Sequence, residues 1–242
     1  MTTAGAGETA LQGLTVLVAG AASASGTAVC TALAAGGAKV VAVGSNAARL
    51  EGALAALPEA ELRTCDLSRP GDVAGLAADL ADEGGIDGLI HLVGGWRGGS
   101  SLQEQSDADW DFLQNNILNT LRNTSRSFYD QLAASPHGRL AIVSSTAVDS
   151  PTPGNAGYAA AKAAAETWVQ SIAAGFDGTD AAAVVLVVKA LVDDAMRAAQ
   201  PDRKFPDFTD VSELGRAAVR LFSTPAASLN GRRISLLPSD YS

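Results

Sequence analysis

The sequence predicts an α/β fold: a doubly wound, seven-stranded parallel sheet in a single domain. Three observations carry that prediction. Seven short runs are apolar at nearly every residue, helix-length segments separate them, and a turn of small residues follows the first run directly. Strands apolar on both faces need helices on both faces, which the crossovers of a parallel sheet supply. No internal repeat or composition break marks a domain boundary.

The elements follow in order. Residues 1–12 are small and polar without periodicity and read as a loose tail, leaving 13–242 as the domain. Residues 14–19 (LTVLVA) form the first strand, and 25–35 a helix stopped by Gly36-Gly37. A β-branched run at 39–43 precedes an Ala/Leu helix at 47–57 that Pro58 closes. Residues 62–65 are the third strand, 70–82 the third helix and 89–93 the fourth strand. One long helix is expected over 107–133, then a fifth strand at 140–144 and an alanine-rich helix at 156–176. The sixth strand is 183–188, a polar stretch covers 200–210, a helix covers 211–222, and 233–237 is the last strand.

Composition narrows the function. Of 242 residues, 47% are hydrophobic and 18% charged, enough for a packed core and no case for global disorder. The 17 basic and 26 acidic residues give a net charge of −9, which repels polyanions, so no nucleic-acid partner is expected. Two cysteines cannot staple a chain of this length and read as inert thiols in a reducing, cytoplasmic compartment. His91 and His137 stand in no Cys/His cluster of zinc spacing, so no metal is expected. No apolar run is long enough to span a bilayer, and no signal-peptide pattern opens the chain, so no membrane role is expected.

The turn after the first strand reads Gly20-Ala21-Ala22-Ser23-Ala24-Ser25-Gly26. Backbone N–H groups at a helix N-terminus with little side chain in the way suit a pyrophosphate. Gly20 permits the sharp turn, Ser23 and Ser25 line it, and Gly26 lets the helix approach the sheet. The same turn serves plain packing in other α/β proteins. A site for NAD places an acid at the end of the second strand. Here stand Ser45 and Asn46, with Arg49 nearby, so NADP is favoured over NAD, although Arg49 also suits a solvated helix face.

Ser144-Ser145 ends the fifth strand, Tyr158 follows 13 residues after Ser145, and Lys162 lies four further on. Positions four apart share a helix face. Carbonyl reduction needs hydride and a proton. A neighbouring ammonium favours the phenolate and lowers the tyrosine pKa, which otherwise lies near 10. Ser145 can hydrogen-bond the substrate oxygen as charge develops. Alone, such a Tyr/Lys pair is an ordinary helix-surface pattern; its combination with the glycine turn and the strand-end serine is the signal.

With these residues the chain resembles the short-chain dehydrogenase/reductase family, compact type, over residues 14–237. Cys65-Asp66-Leu67 resembles the family's Asp-Val/Leu segment, 155–162 its active-site helix start, and Asn230-Gly231-Arg232 its closing segment. The resemblance implies a Rossmann fold, Tyr158 as acid/base, Lys162 as its partner and a cofactor-ribose ligand, and Ser145 as the substrate orienter. It further implies Asp66 and Leu67 at the adenine and Gly94 in the cofactor loop. The implied activity is NAD(P)(H)-dependent interconversion of a small-molecule carbonyl and alcohol in a homodimer or homotetramer. The alternative is a non-catalytic nucleotide-binding or scaffold protein. A sugar-nucleotide epimerase is disfavoured by the short region after Val188. Four positions depart from the family: Ala24 replaces the middle glycine, His91-Leu92-Val93-Gly94 replaces Asn-Asn-Ala-Gly, Ile117 replaces the relay asparagine, and Lys189-Ala190 replaces Pro-Gly. The substrate pocket is expected around Trp96, Arg97, Val148, Leu191, Val192 and residues 205–208.

Overall fold

The computed structural model describes residues 10–238. Its main sheet holds seven parallel strands: β1 (Thr15–Ala19), β2 (Lys39–Gly44), β3 (Glu61–Thr64), β4 (Gly88–His91), β5 (Arg139–Ser145), β6 (Ala182–Val188) and, last in the chain, β9 (Arg233–Ser235). The order β3-β2-β1-β4-β5-β6-β9 reverses direction between β1 and β4, as a doubly wound sheet requires. A two-stranded parallel ladder, β7 (Leu191–Val192) with β8 (Thr209–Asp210), stands apart from it.

The strand runs fill both layers by alternation. Leu17, Val41, Leu89, Leu140 and Val185 point to one face, under α3 (Pro70–Asp82), α5 (Thr120–Ala134) and α6 (Ala156–Gly175). Val16, Val18, Val40, Ile90, Val184 and Leu186 point to the other, under α1 (Ala24–Ala35) and α8 (Val211–Ser223). Phe128 and Phe176 anchor the first core, and Leu33, Leu214 and Phe222 the second. Edge strand β3 alternates instead, and charges cover it: Lys39 pairs with Glu61 at 2.9 Å, and Arg63 bridges Glu61 and Glu83.

At the base of the sheet, buried Arg139 donates to the carbonyls of Gly138, Asp180, Leu221 and Thr224 at 2.7–3.0 Å. This ties the end of α8 to the start of β5.

Four expectations change. Residues 1–9 of the expected tail lie outside the described residues, but Leu11, placed in that tail, is fully buried and its N–H donates to Gly36 at 2.9 Å. The helix expected over 107–133 is α4 (Asp107–Leu113), a π-helical turn (Gln114–Asn119) and α5. The second helix, α2 (Ala47–Ala53), stops short of 57, although Leu54 and Leu57 still bury their side chains. The region after β6 holds β7, α7 (Asp194–Ala199) and β8, and α9 (Ala226–Leu229) precedes the last strand. These pieces are too short for hydrophobic periodicity to register. Among the described residues no helix is long and apolar enough to cross a membrane.

Candidate functional site

Two cavities open along the C-terminal edge of the sheet and share Leu92, Val93 and Gly94 as a common wall. That edge, where strand order reverses, is where open α/β sheets take ligands.

The first cavity, about 270 Å³, is lined by Gly20, Ser23, Ser45, Asn46, Arg49, Asp66 and Leu67, with Asn115, Asn116 and Thr120 opposite. Gly20 takes φ +84°, a left-handed conformation that glycine adopts without strain. Ser23 caps α1: its Oγ accepts from the Gly26 N–H at 3.0 Å and donates to the Gly20 carbonyl at 2.9 Å. Gly26 lines neither cavity. A Cβ there would sit 2.4 Å from the Gly20 oxygen, so its role is the close approach of helix to turn. Ala24 is the exposed first residue of α1 and lines neither cavity, so its methyl does not narrow them. Asn46 caps α2 through the Arg49 N–H at 2.9 Å, which leaves the exposed Arg49 side chain at the rim. Asp66 accepts from the Ser68 N–H and hydroxyl at 3.0 and 2.7 Å, bonds that hold its carboxyl below the usual range.

The second cavity, about 740 Å³, gathers Ser145, Tyr158 and Lys162, with Ser25 and Gly94 also in its wall. Thr152 and Asn155 form a capping box that starts the helical path: the Thr152 N–H donates to Asn155 Oδ1 at 2.7 Å. Tyr158 then falls on the first turn of α6 and Lys162 one turn later. Lys162 Nζ donates to the Val143 carbonyl at 2.8 Å and lies 5.8 Å from the centroid of the Tyr158 ring. Ser145 hydrogen-bonds Tyr158 and accepts from the Ala147 N–H at 3.2 Å.

The electrostatics correct one expectation. Burial raises the Tyr158 pKa, with the Ser145 hydrogen bond opposing it, so the resting phenol is protonated rather than drawn toward phenolate. Burial likewise brings Lys162 down to about 8, and Glu166, one turn on, opposes that shift. Buried Glu166 accepts from Ser144 at 2.5 Å and pairs with Arg233 at 2.8 Å; Arg233 also reaches Asp149 at 3.0 Å. This network grips the chain on both sides of Ser145.

His91 lies beneath the second cavity with its ring nitrogens 3.2 Å from the hydroxyls of Thr120 and Thr124. Burial, with the Lys162 charge adding, pushes its pKa from 6.5 to about 3. Between those values the unfolded chain binds the extra proton, so stability falls as pH drops through that window. The loss reaches about 5 kcal/mol across the full shift. Unfolding measured between about pH 6.5 and 5, above the titration of most carboxylates, isolates this slope; His91→Asn is expected to flatten it.

Ile117 is buried in the core beside α6. Beside it the π-helical turn and the first residue of α5 bring Asn115, Asn116 and Thr120 to the first cavity. Of the expected substrate residues, Trp96 and Leu191 line the second cavity; Val148, Val192 and 205–208 do not. Arg97 turns away, lying 3.8 Å over the Phe112 ring and 3.6 Å from Asp109. Lys189 does line the cavity, and its ammonium pairs with Asp207 at 3.0 Å. Cys30 and Cys65 are free thiols, both buried, and burial pushes them up to about 12 and 11. Sequence reasoning missed Asn115, Thr120, Thr146 and Ser150 because none sits in a motif of its own, and Asn155, which opens the 155–162 segment, was assigned no lining role.

Comparison with known proteins gives a consistent picture. The family model for short chain dehydrogenases matches residues 14–204. Nodulation protein G of Rhizobium sp. (strain N33) is 28% identical over 237 residues, covering 93% of this chain and 95% of that protein. A short chain dehydrogenase of Shigella flexneri 2a, solved with NADP, superposes with TM-score 0.83 at 19% identity over 95% of this chain and 99% of its own. A gluconate 5-dehydrogenase of Burkholderia cenocepacia J2315, in complex with NADP and tartrate, gives TM-score 0.79 at 23% identity, covering 93% and 94%. The sequence match across most of the chain and the sheet order lead to one assignment: this protein belongs to the short chain dehydrogenase family of oxidoreductases.

Proposed function

We propose that the protein is an NADP(H)-dependent oxidoreductase that interconverts a small-molecule carbonyl and the corresponding alcohol. The observation that carries the reading is the meeting of Ser145, Tyr158 and Lys162 in a cavity that shares a wall with the groove behind Gly20.

The residues present fit a dinucleotide. Gly20, in the wall of the first cavity, takes φ +84°, and a Cβ there would come 3.1 Å from the backbone of Leu92 and Val93, so the turn keeps that wall free of side chain. Gly20, Ser23, Ser25 and Gly94 would hold the pyrophosphate and nicotinamide side, Asp66 and Leu67 the adenine, and Lys162 the ribose. Ser45, Asn46 and Arg49 offer donors and no carboxylate for a 2′-phosphate, which favours NADP; the neighbours solved with NADP support the same preference.

When bound, the nicotinamide supplies or accepts the hydride. Ser145 holds the substrate oxygen and stabilises charge developing on it. Tyr158 delivers its hydroxyl proton to that oxygen in reduction and removes it in oxidation. Lys162 stabilises the phenolate that results. An outward groove of about 360 Å³ between α5 and α6, lined by Tyr129 and Trp168 among others, supports pairing of two copies through these helices.

Titration with NADPH and NADH, followed by thermal unfolding, tests the cofactor reading. At a hundred times its Kd a ligand adds about 2.7 kcal/mol, a shift of roughly 5–10 °C for a domain of this size. NADPH is expected to bind at least about tenfold more tightly than NADH, and Arg49→Ala to remove most of that preference. Stabilisation by neither nucleotide overturns the proposal.

A further inference from the structure

We propose that the substrate is a planar, uncharged ring compound that stacks on Trp96. The inference rests on the oxidoreductase reading and assigns the substrate class of that same site.

Trp96 follows Gly94-Gly95 after β4 and lines the cavity that holds Ser145 and Tyr158, yet it is 60% exposed. A single exposed aromatic is unremarkable on a surface, but this one is seated. Its six-membered ring lies against Gly98, where a Cβ would fall 2.9 Å from the indole and 2.5 Å from the Gly154 carbonyl. The Gly99 N–H donates to that carbonyl at 2.9 Å, and Gln105 Nε2 donates to it at 3.1 Å. Gln105 Oε1 in turn faces the Gly157 N–H at 3.4 Å. The loop carrying the indole is therefore pinned to the start of α6, the helix that carries Tyr158. The indole lines the cavity, more than half exposed, on a loop tied to the helix of the reacting hydroxyl, and so offers a platform for a flat partner.

Charge accounting sets the rest of the class. Two cations line the cavity. Lys162 is committed to the Val143 carbonyl, and Lys189 to Asp207. Arg97, the next cation along the loop, is spent on Phe112 and Asp109. No aspartate or glutamate lines the cavity among the described residues. An ammonium on the substrate would thus be desolvated without a counterion, and an anion would meet only two lysines that the Val143 carbonyl and Asp207 already hold, so charge on the substrate is disfavoured. The remaining wall mixes apolar Ala147, Val188 and Leu191 with neutral donors and acceptors from Thr146, Ser150 and Asn155. That mixture suits a flat ring bearing uncharged heteroatoms.

Three ketone probes discriminate: isatin (planar, neutral), cyclohexanone (neutral, puckered) and pyruvate (anionic). Calorimetric binding to the protein saturated with NADP⁺ is read beside turnover with NADPH. Isatin is expected to bind most tightly and to give the highest kcat/KM. Trp96→Leu is expected to weaken isatin about tenfold, mostly in KM, while Trp96→Phe stays within about threefold of the parent. Cyclohexanone, which cannot stack, should lose less than isatin in Trp96→Leu. Pyruvate binding as tightly as isatin, an unmoved isatin affinity in Trp96→Leu, or no isatin binding at all overturns the assignment. Isatin binding that depends on Trp96 without any turnover sustains the substrate class and overturns the hydride-transfer reading instead.

Discussion

Tyr158→Phe is expected to lower kcat for carbonyl reduction about 10²- to 10⁴-fold, the usual contribution of a positioned acid. The ring stays, so packing against the core that contains Ile117 and Val169 is kept and the fold should hold. NADPH affinity should change little, because the hydroxyl is removed and Lys162 remains. The pH profile of the parent follows from the two neighbouring groups. Burial keeps the phenol protonated at neutrality, which is the form reduction needs. Reduction is therefore expected to be flat below neutrality and to decline as pH rises through about 8, where Lys162 gives up its proton. Oxidation of the alcohol needs phenolate and should be the slower direction at neutral pH. Steady-state rates in both directions across pH check this; an undiminished kcat in the variant removes Tyr158 from the mechanism.

Gly26→Ala is expected to damage stability and cofactor affinity together. The new Cβ would lie 2.4 Å from the Gly20 oxygen and 2.6 Å from Ala21 Cα, backbone atoms that cannot swing aside. Overpacking of this kind costs about 1–3 kcal/mol, or roughly 2–12 °C in a domain of this size. Relief comes only by lifting α1 from the turn, which spreads the N–H groups proposed to hold phosphate, so NADPH affinity should fall at least about tenfold. Ala24→Gly is the contrast. That residue is exposed and lines neither cavity, so affinity should stay within about threefold of the parent. Thermal melts with and without NADPH separate the two variants; a loss of affinity in Ala24→Gly, or none in Gly26→Ala, refutes this view of the turn.

The sheet was legible because its strands carry apolar residues on both faces, a pattern that few other architectures use. Val16 and Leu17 feed opposite layers, and a run such as residues 182–188 has no polar side to confuse its assignment. Ser145, Tyr158 and Lys162 were legible for a different reason: their spacing is local, and the strand-to-helix geometry brings them together. The π-helical turn was not legible. A one-residue widening of a helix leaves the apolar period almost intact, so Asn115 and Asn116 gave no sign that they reach the first cavity. The protonation of Tyr158 was misjudged because sequence supplies the neighbouring lysine and not the burial that outweighs it. Leu11 escaped because one apolar residue in a polar stretch has no period to announce it.

The two ends of the sheet are held very differently. Below, the Arg139 guanidinium draws four carbonyls from distant parts of the chain around itself, and little there can be exchanged. Above, residues 193–208 are largely exposed, flanked by the short β7–β8 ladder and tied by the Lys189–Asp207 and Arg197–Asp210 pairs. Tolerance to substitution is thus spread very unevenly over this scaffold. Libraries confined to that surface stretch, none of whose residues lines either cavity, should return mostly folded clones that keep the parent's selectivity.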